Sequence, residues 1–308
     1  MGVDRLGSVS VIRAAGRTGV IVALVAALMP VTAGVAVAAE GDLVWVRQMG
    51  GTLDDDGNGV AVDDSGNVYT TGYFSGTVDF DPGAGTFNLT SAGSFDVFIS
   101  KLDSAGNLVW ARRLGGTNVD WGRGVAVDDS GNVYTTGTFL GTADFDPGAG
   151  TFNLTPAGST DAFVSKLDSA GNLVWARRLG GTSGDLGAGV AVDDSGNVYT
   201  AGYFSGLADF DPSAGTFNLT SAGGADVFVS KLDSAGNLVW ARQLGGPSDD
   251  EGNGVVADAL GNVYTTGYFK GTADFDPGAG TFNLTSAGGG DVFVSKLDSA
   301  GNLVWARQ

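Results

Sequence analysis

Hydrophobic and polar positions alternate in short runs along this chain, and the runs recur in a fixed order. β-Branched and aromatic residues dominate these runs, a composition typical of strands with one buried face. The turns between them start with Asp and end with Gly, residues that favour tight bends. The pattern predicts four antiparallel strands in the first complete set, at 59–62 (GVAV), 67–74 (NVYTTGYF), 96–102 (DVFISKL) and 107–114 (NLVWARRL).

The set of four strands repeats every 65 residues. The repeat is marked by the tryptophan of an LVW motif at Trp45, Trp110, Trp175, Trp240 and Trp305. Four-stranded antiparallel units with glycine-containing turns are typical of β-propeller blades. The sequence therefore predicts an all-β propeller of four blades, with the small-residue strand 59–62 nearest the axis. A β-solenoid and a fragment of a larger propeller are the alternatives. The predicted units are 46–110, 111–175, 176–240 and 241–305.

Two long motifs carry a resemblance to a known family. The segments GVAVDDSGNVYTTGYFSGT and DVFISKLDSAGNLVWARRLGG resemble the bacterial β-propeller repeats labelled SBBP. The resemblance covers residues 41–308 and implies an extracellular or surface-exposed propeller with no shared catalytic residues. This chain departs from the family in the segment Thr77 to Ala92, which lengthens each unit.

The ends of the repeat array duplicate each other. Residues 42–48 (DLVWVRQ) predict a leading strand of the fourth type, and the last unit contains its own fourth strand at 302–308. This duplication is consistent with three arrangements. They are a closed four-blade ring, a piece of a longer array, and a half-ring that pairs with a second copy. Because unpaired strand edges favour association, we also expect that copies of the chain can associate through open edges.

The first 39 residues have the pattern of a signal peptide. Arg5, Arg13 and Arg17 precede an apolar stretch at 19–29, Pro30 follows it, and Ala36 to Ala39 fit a cleavage site. The mature propeller domain is then 40–308, and we expect a secreted, extracellular or cell-surface protein of bacterial type. The alternative is an uncleaved anchor, which would bring the chain to a membrane.

Charge and composition exclude several classes of function. Removing residues 1–39 takes away three arginines and Asp4, which shifts the formal net charge from −18 to −20. Such an acidic surface repels phosphate backbones and argues against nucleic acid as a partner. The chain has no cysteine and no histidine, which excludes Ser-His-Asp and Cys-His catalysis and ordinary zinc sites. We expect a protein that is not an enzyme. A carboxylate-based hydrolase or lyase is the alternative.

One acidic motif, DFDPGAG or its variant DFDPSAG, is a candidate calcium site. Side chains at i and i+2 of an extended segment share a face, so two carboxylates could meet one cation. The alternative is turn chemistry, in which Asp caps the bend before Pro. Calcium is the only cofactor the sequence suggests, in which case the chain is a calcium-stabilised structural repeat of a larger surface protein. The candidate ligands are Asp79, Asp81, Asp144, Asp146, Asp209, Asp211, Asp274 and Asp276.

The differences among the copies point to a contact surface. Most of each unit is repeated unchanged, yet the segments 53–58, 118–123, 183–188 and 248–253 differ. Trp121 and Arg123 lie in one of them, and both residue types are frequent anchors in interfaces. We therefore expect a non-enzymatic extracellular binding or scaffold module with a protein or carbohydrate ligand. Neutral drift in tolerant loops is the alternative explanation.

Overall fold

The structure is a computed structural model that describes residues 43–308. The predicted signal peptide, residues 1–39, lies outside the described residues. Within 43–308 no helix is long and apolar enough to cross a membrane. Residues Arg47–Gln308 pack together as one compact unit.

Each repeat forms an antiparallel sheet, and the strands follow one order in all four units. Unit 1 contains β1 (Asp55–Val62), β2 (Val68–Phe74), β3 (Thr77–Asp79), β4 (Asn88–Thr90), β5 (Asp96–Leu102) and β6 (Leu108–Gly116). Unit 2 contains β7 (Asp120–Val127), β8 (Val133–Leu140), β9 (Ala143–Asp144), β10 (Asn153–Leu154), β11 (Thr160–Leu167) and β12 (Leu173–Gly181). Unit 3 contains β13 (Leu186–Val192), β14 (Val198–Asp209), β15 (Asn218–Leu232) and β16 (Leu238–Leu244). Unit 4 contains β17 (Glu251–Ala257), β18 (Val263–Asp274), β19 (Asn283–Leu297) and β20 (Leu303–Arg307).

The four predicted strands are confirmed as an antiparallel meander. In unit 1, β1 pairs with β2, β2 with β5, and β5 with β6. The predicted turns are confirmed too: Asp63 accepts the backbone N–H groups of Ser65 and Asn67 through Oδ1, at 3.0 and 2.9 Å. The all-β class with four four-stranded antiparallel units therefore agrees with the sequence.

The segment between the second and third strands contains β-structure that the four predicted strands did not include. In unit 1 it forms the hairpin β3–β4, and in units 3 and 4 it extends the second and third strands through a bulge at Gly206 or Gly271. This extension pairs with the preceding unit, because Gly115 and Gly116 at the end of β6 face Asp144 and Ala143 of β9. The added segment thus links neighbouring units through backbone hydrogen bonds.

The first strands of successive units lie side by side, as predicted for the small-residue strand. A Cβ on Gly59 of β1 would lie 2.8 Å from the carbonyl oxygen of Arg123 in β7. A Cβ on Gly124 of β7 would lie 3.0 Å from the carbonyl oxygen of Ala188 in β13. Glycine is required at these positions because no side chain fits between the two backbones.

The hydrophobic core lies between units. Each unit presents one apolar face to the unit that follows it, the trailing face, which in unit 1 consists of Tyr69, Val97, Ile99, Trp110 and Leu114. The facing surface of the next unit, the leading face, includes in unit 2 Val125, Val133, Phe139, Phe163 and Leu167. The same pairing recurs between units 2 and 3 and between units 3 and 4. A single unit therefore cannot bury its apolar faces without neighbours.

The predicted leading strand, residues 42–48, is not a strand in its described part. Residues 43–49 form no ladder, and only Gly50 bridges to Asp79. A fourth-type strand pairs with the third-type strand of its own unit, and the sequence before residue 42 has no copy of that motif. Arg47 nevertheless donates from Nε to the carbonyl of Gly106 at 2.9 Å, which matches the bond from Arg112 Nε to Gly171.

Candidate functional site

The residues that differ among units meet on one surface, at the beginning of the first strands. We call it the rim surface. Ring contacts and hydrogen bonds link its members in units 1 and 2 and within unit 4, and the charges of Arg123 and Glu251 both act on Tyr203 of unit 3. Its members are Asp56, Tyr73, Phe95, Trp121, Arg123, Tyr203, Glu251 and Tyr268.

Aromatic rings form the centre of the rim surface between units 1 and 2. The Tyr73 ring lies 5.7 Å from the Trp121 ring and 5.2 Å from the Phe95 ring, the latter nearly perpendicular at 81°. Edge-to-face pairs of this kind stabilise an aromatic cluster beyond the area they bury. The Tyr73 hydroxyl donates to Asp56 Oδ2 at 3.3 Å. Trp121 is thus held by a neighbouring unit while remaining partly exposed.

Arg123 adds a cation to these rings. Its guanidinium carbon lies 5.1 Å from the centre of the Trp121 ring, a cation–π geometry. Its charge acts on two other units: burial raises the pKa of Tyr73 and of Tyr203, and Arg123 partly offsets both shifts. Nε of Arg123 and Nε1 of Trp121 are buried and lack a hydrogen-bond partner among the described residues. Buried donors of this kind call for an acceptor.

An acidic group stands at the unit 4 end of the rim surface. The Tyr268 hydroxyl donates to Glu251 Oε1 at 2.7 Å, and this bond, with burial, raises the pKa of Tyr268 to about 12. Lys270 lies 5.4 Å above the Tyr268 ring and 3.5 Å from Asp249. Charge is therefore distributed asymmetrically over a surface built from repeated units.

Each unit places one large aromatic side chain from its first two strands on the rim surface. In units 1, 3 and 4 it is a tyrosine of the second strand: Tyr73, Tyr203 and Tyr268. In unit 2 the paired position on the second strand is Thr138, and Trp121 stands across from it on the first strand. The small Thr138 therefore accompanies the large Trp121. The exchange keeps one aromatic ring from the first two strands of each unit on this surface.

The aspartates of the DFDPGAG motif act as turn caps in the structure. Asp79 Oδ1 accepts the N–H groups of Asp81 at 3.0 Å and Phe87 at 2.8 Å. Asp81 Oδ1 accepts the N–H of Gly83 at 2.8 Å. The other three copies repeat both caps, at Asp144 and Asp146, Asp209 and Asp211, and Asp274 and Asp276. These bonds match the alternative interpretation of the motif.

The same loops line cavities between units. Asp144 and Asp146 face Arg113 and Phe87 of the preceding unit across a cavity of about 230 Å³, and the next junction has an equivalent cavity of about 210 Å³. Among residues 43–308 no three His, Cys, Asp or Glu side chains are grouped so that they could hold a metal ion. Calcium binding by these aspartates stays a prediction.

A second set of aspartates is buried at the junctions. Asp96 at the start of β5 and Asp120 at the start of β7 are fully buried. Asp120 accepts the backbone N–H of Gly116 at 2.7 Å, and Asp96 accepts Arg113 Nη1 at the same distance. Burial raises the pKa of Asp120 to about 7, and the Asp96 charge adds to the shift. Asp120 and its equivalents Asp185 and Asp250 thus join successive units through backbone N–H groups.

The third junction lacks the arginine of the other two. Arg113 and Arg178 pair with Asp96 and Asp161, whereas Gln243 donates to Asp226 at 2.5 Å. Burial raises the pKa of Asp226 to about 6. These carboxylate pairs are enclosed between sheets and have little room for a substrate.

Sequence reasoning singled out Trp121 and Arg123 and placed Asp56 and Glu251 in differing segments, but it missed the tyrosines of the rim surface. Tyr73, Tyr203 and Tyr268 lie inside a repeated strand and were assigned only to the second strand. The signal that could have found them is the tyrosine-to-threonine change at Thr138, which coincides with the appearance of Trp121 in the same unit.

Comparison with known proteins gives one family match and several partial relatives. The SBBP family, described as a β-propeller repeat, matches residues 44–73, 109–138, 174–206 and 239–271. An uncharacterized WD repeat-containing protein of Acanthamoeba polyphaga mimivirus is 26% identical over 229 residues, which are 66% of this chain and 16% of that protein. The regulatory protein FlaEY of Caulobacter vibrioides is 29% identical over 170 residues, 54% of this chain and 17% of that protein.

This chain spans less than a fifth of the length of both curated relatives. Among solved structures, a protein of unknown function from Bacteroides caccae matches with a TM-score of 0.34 and 12% identity. That match covers 82% of this chain and 81% of the other.

Proposed function

Because this chain belongs to the SBBP β-propeller repeat family, we propose that it is a non-enzymatic binding module whose rim surface holds a partner protein. The observation that carries the proposal is the convergence of the differing positions. Trp121, Arg123 and Tyr73 come from two units and contact one another, and Arg123 and Glu251 of a third unit both act on Tyr203. Drift in tolerant loops has no reason to keep one aromatic ring from the first two strands of each unit on this surface.

The chemistry of the rim surface suits an exposed peptide segment. Tyr73, Phe95 and Trp121 offer ring faces to an apolar side chain. The positive charge of Arg123 attracts a carboxylate. Tyrosine, tryptophan and arginine are enriched among the residues that dominate binding energy in protein interfaces. A partner whose segment combines an apolar side chain with an acidic one meets all of these groups.

Two further features support a binding role over catalysis. The paired carboxylates of Asp96 and Asp120 are buried, and they accept hydrogen bonds from Arg113 and Gly116. The aspartates of the DFDPGAG motif accept hydrogen bonds from backbone N–H groups of their own turns. The proposed location is outside the cell or on its surface. The signal-peptide pattern of residues 1–39 and the acidic composition support it.

Selection from a displayed random peptide library on residues 40–308 tests the proposal. Selected peptides should bind the wild-type protein and lose binding to the Trp121→Ala and Arg123→Ala variants. Val174→Ala is the control, because Val174 is exposed on β12, outside the rim surface. Peptides that bind the Trp121→Ala and Arg123→Ala variants as well as the wild type would contradict the proposal.

A further inference from the structure

The cavities at the first two junctions have the same lining, and no residue of the rim surface belongs to it. At the junction of units 1 and 2, Phe87 and Leu89 of unit 1 lie opposite Asp144, Asp146 and Pro147 of unit 2. Each cavity is therefore built from two successive units. The same places at the junction of units 2 and 3 are taken by Phe152, Leu154, Asp209, Asp211 and Pro212.

An exposed aromatic ring gives each cavity an apolar wall. Phe87 and Phe152 are each 37% exposed. The backbone of Phe87 is fixed on both sides, because its N–H donates to Asp79 Oδ1 at 2.8 Å and its carbonyl accepts the N–H of Phe80 at 2.9 Å. The face of an aromatic ring is electron-rich and attracts the positive edge of a partner group. The ring is thus held in place by its turn and remains available to a ligand.

The polar wall supplies an ionised acceptor and a cationic donor. Asp144 Oδ1 accepts both N–H groups of its turn, and Oδ2 has no hydrogen-bond partner among residues 43–308. Arg113 donates from Nη1 to the buried Asp96 at 2.7 Å. Its Nε and Nη2 have no hydrogen-bond partner in the described part of the chain, and its side chain is 33% exposed. Both groups are therefore oriented by other bonds and keep free hydrogen-bonding capacity.

We propose that each of these cavities binds one ring of a neutral carbohydrate. The C–H face of the sugar ring lies on Phe87, and hydroxyl groups at its edge donate to Asp144 and accept from Arg113. A hydroxyl both donates and accepts, so neighbouring hydroxyls of one ring can use the two groups at once. Hydrogen bonds to ionised partners are the stronger kind, which favours these groups as the contacts that orient the ring.

Charge balance and size support a single neutral ring. Two arginines and two aspartates line the first cavity, Arg112, Arg113, Asp144 and Asp146, so their formal charges cancel. The volumes of about 230 and about 210 Å³ are smaller than the roughly 300–1,000 Å³ of sites for drug-sized ligands. At the third junction Gln243 stands in the place of the arginine, which removes the cationic donor. The proposal therefore concerns the first two junctions.

Saturation-transfer NMR of residues 40–308 tests the proposal, with glucose, galactose, mannose and N-acetylglucosamine as probes and a chelator present to exclude calcium. Phe87→Ala with Phe152→Ala removes the ring from both cavities. Asp144→Asn with Asp209→Asn replaces the free carboxylate oxygen and keeps an oxygen for each turn cap. Val109→Ala with Val174→Ala is the matched control, because both valines are exposed and line neither cavity.

We expect at least one sugar to bind the wild type and the control variant equally. Each of the other two double variants should bind that sugar at least about tenfold more weakly, as loss of a bond to a charged group or of an aromatic contact does, with an unchanged melting temperature. Trp121→Ala should keep sugar binding, which separates this site from the rim surface. Absence of saturation in all four sugars would overturn the proposal, and so would equal binding by the wild type and both cavity variants.

Discussion

Gly116 donates its backbone N–H to the carboxylate of Asp120 at 2.7 Å, across the connection between units 1 and 2. The bond recurs between Gly181 and Asp185 and between Gly246 and Asp250, also at 2.7 Å. Each of these aspartates is buried. A buried carboxylate that binds the end of one unit and begins the next couples the two units, so disturbing it should destabilise the array.

Replacement of Gly115 by alanine tests how tightly this junction is packed. Gly115 has φ of +145°, and a Cβ there would lie 2.8 Å from Asp120 Oδ2 and 2.9 Å from Asp96 Cγ. We expect Gly115→Ala to lower the free energy of unfolding by about 2 to 4 kcal/mol, measured by urea denaturation. Gly289→Ala is the control, because no described atom lies within 4 Å of that Cβ position. An equal change in the free energy of unfolding in both variants would contradict the close packing around Gly115.

Stability should fall as the pH rises from about 4 to about 7. The pKa of Asp120 and of Asp185 is raised to about 7 from the ordinary 3.8, first of all by burial. A raised pKa means that the folded state holds its proton over this range while the unfolded state has lost it. The stabilisation is therefore complete below the ordinary pKa and lost as the pH passes the folded pKa.

Denaturation curves at several pH values check this expectation. The turn aspartates affect stability at lower pH. In Asp63, for example, hydrogen bonds from Asn67 and Tyr69 outweigh burial and lower the pKa. Asp120→Asn cannot titrate, so its stability relative to the wild type should improve from pH 4 to pH 7. Parallel pH profiles of variant and wild type would show that Asp120 is not the titrating group.

The third junction should become more stable when it gains an arginine. Gln243 stands where Arg113 and Arg178 pair with buried aspartates. We expect Gln243→Arg to lower the pKa of Asp226 and to raise the free energy of unfolding at pH 7 by about 1 kcal/mol. Gln308→Arg is the matched control, since Asp291 is less buried and Gln308 reaches it at 3.1 Å. A lower free energy of unfolding in Gln243→Arg would contradict the claim that an arginine at this position stabilises the junction.

The turn caps of the DFDPGAG motif should tolerate asparagine. Asp144 Oδ1 accepts the N–H groups of Asp146 and Phe152, and an asparagine oxygen can accept both. Asp144→Ala should lower the free energy of unfolding by about 1 to 2 kcal/mol, and Asp144→Asn should change it little. Melting temperatures with calcium and with a chelator complete the test. A calcium-dependent rise that Asp144→Asn abolishes would establish a calcium ligand instead.

The sequence predicted the strands well because their determinants are local. Alternating apolar residues and the Asp-to-Gly turns specify β5 at Asp96–Leu102 without error. The hairpins β3–β4 and β9–β10 were missed because their strands are only two or three residues long, and because β9 pairs with Gly115–Gly116 of the preceding unit. Pairing of that kind depends on how units stack, which no local pattern encodes.

The same distinction applies to the candidate site. Trp121 and Arg123 could be found by comparing copies, since their identities depart from the repeat. Their contact with Tyr73 of the preceding unit could not, because it depends on the rotation between units. The pairing of Asp96 with Asp120 is hidden for the same reason, since the two aspartates belong to different sheets.

The affinity of a selected peptide for the wild type and for Trp121→Ala, measured by calorimetry, tests the binding function most directly. The account predicts that Trp121→Ala weakens binding at least about tenfold, as truncating a central aromatic anchor does. Val174→Ala should bind like the wild type, and all three proteins should melt alike. Unchanged affinity in Trp121→Ala would contradict the central claim that the rim surface is the binding site.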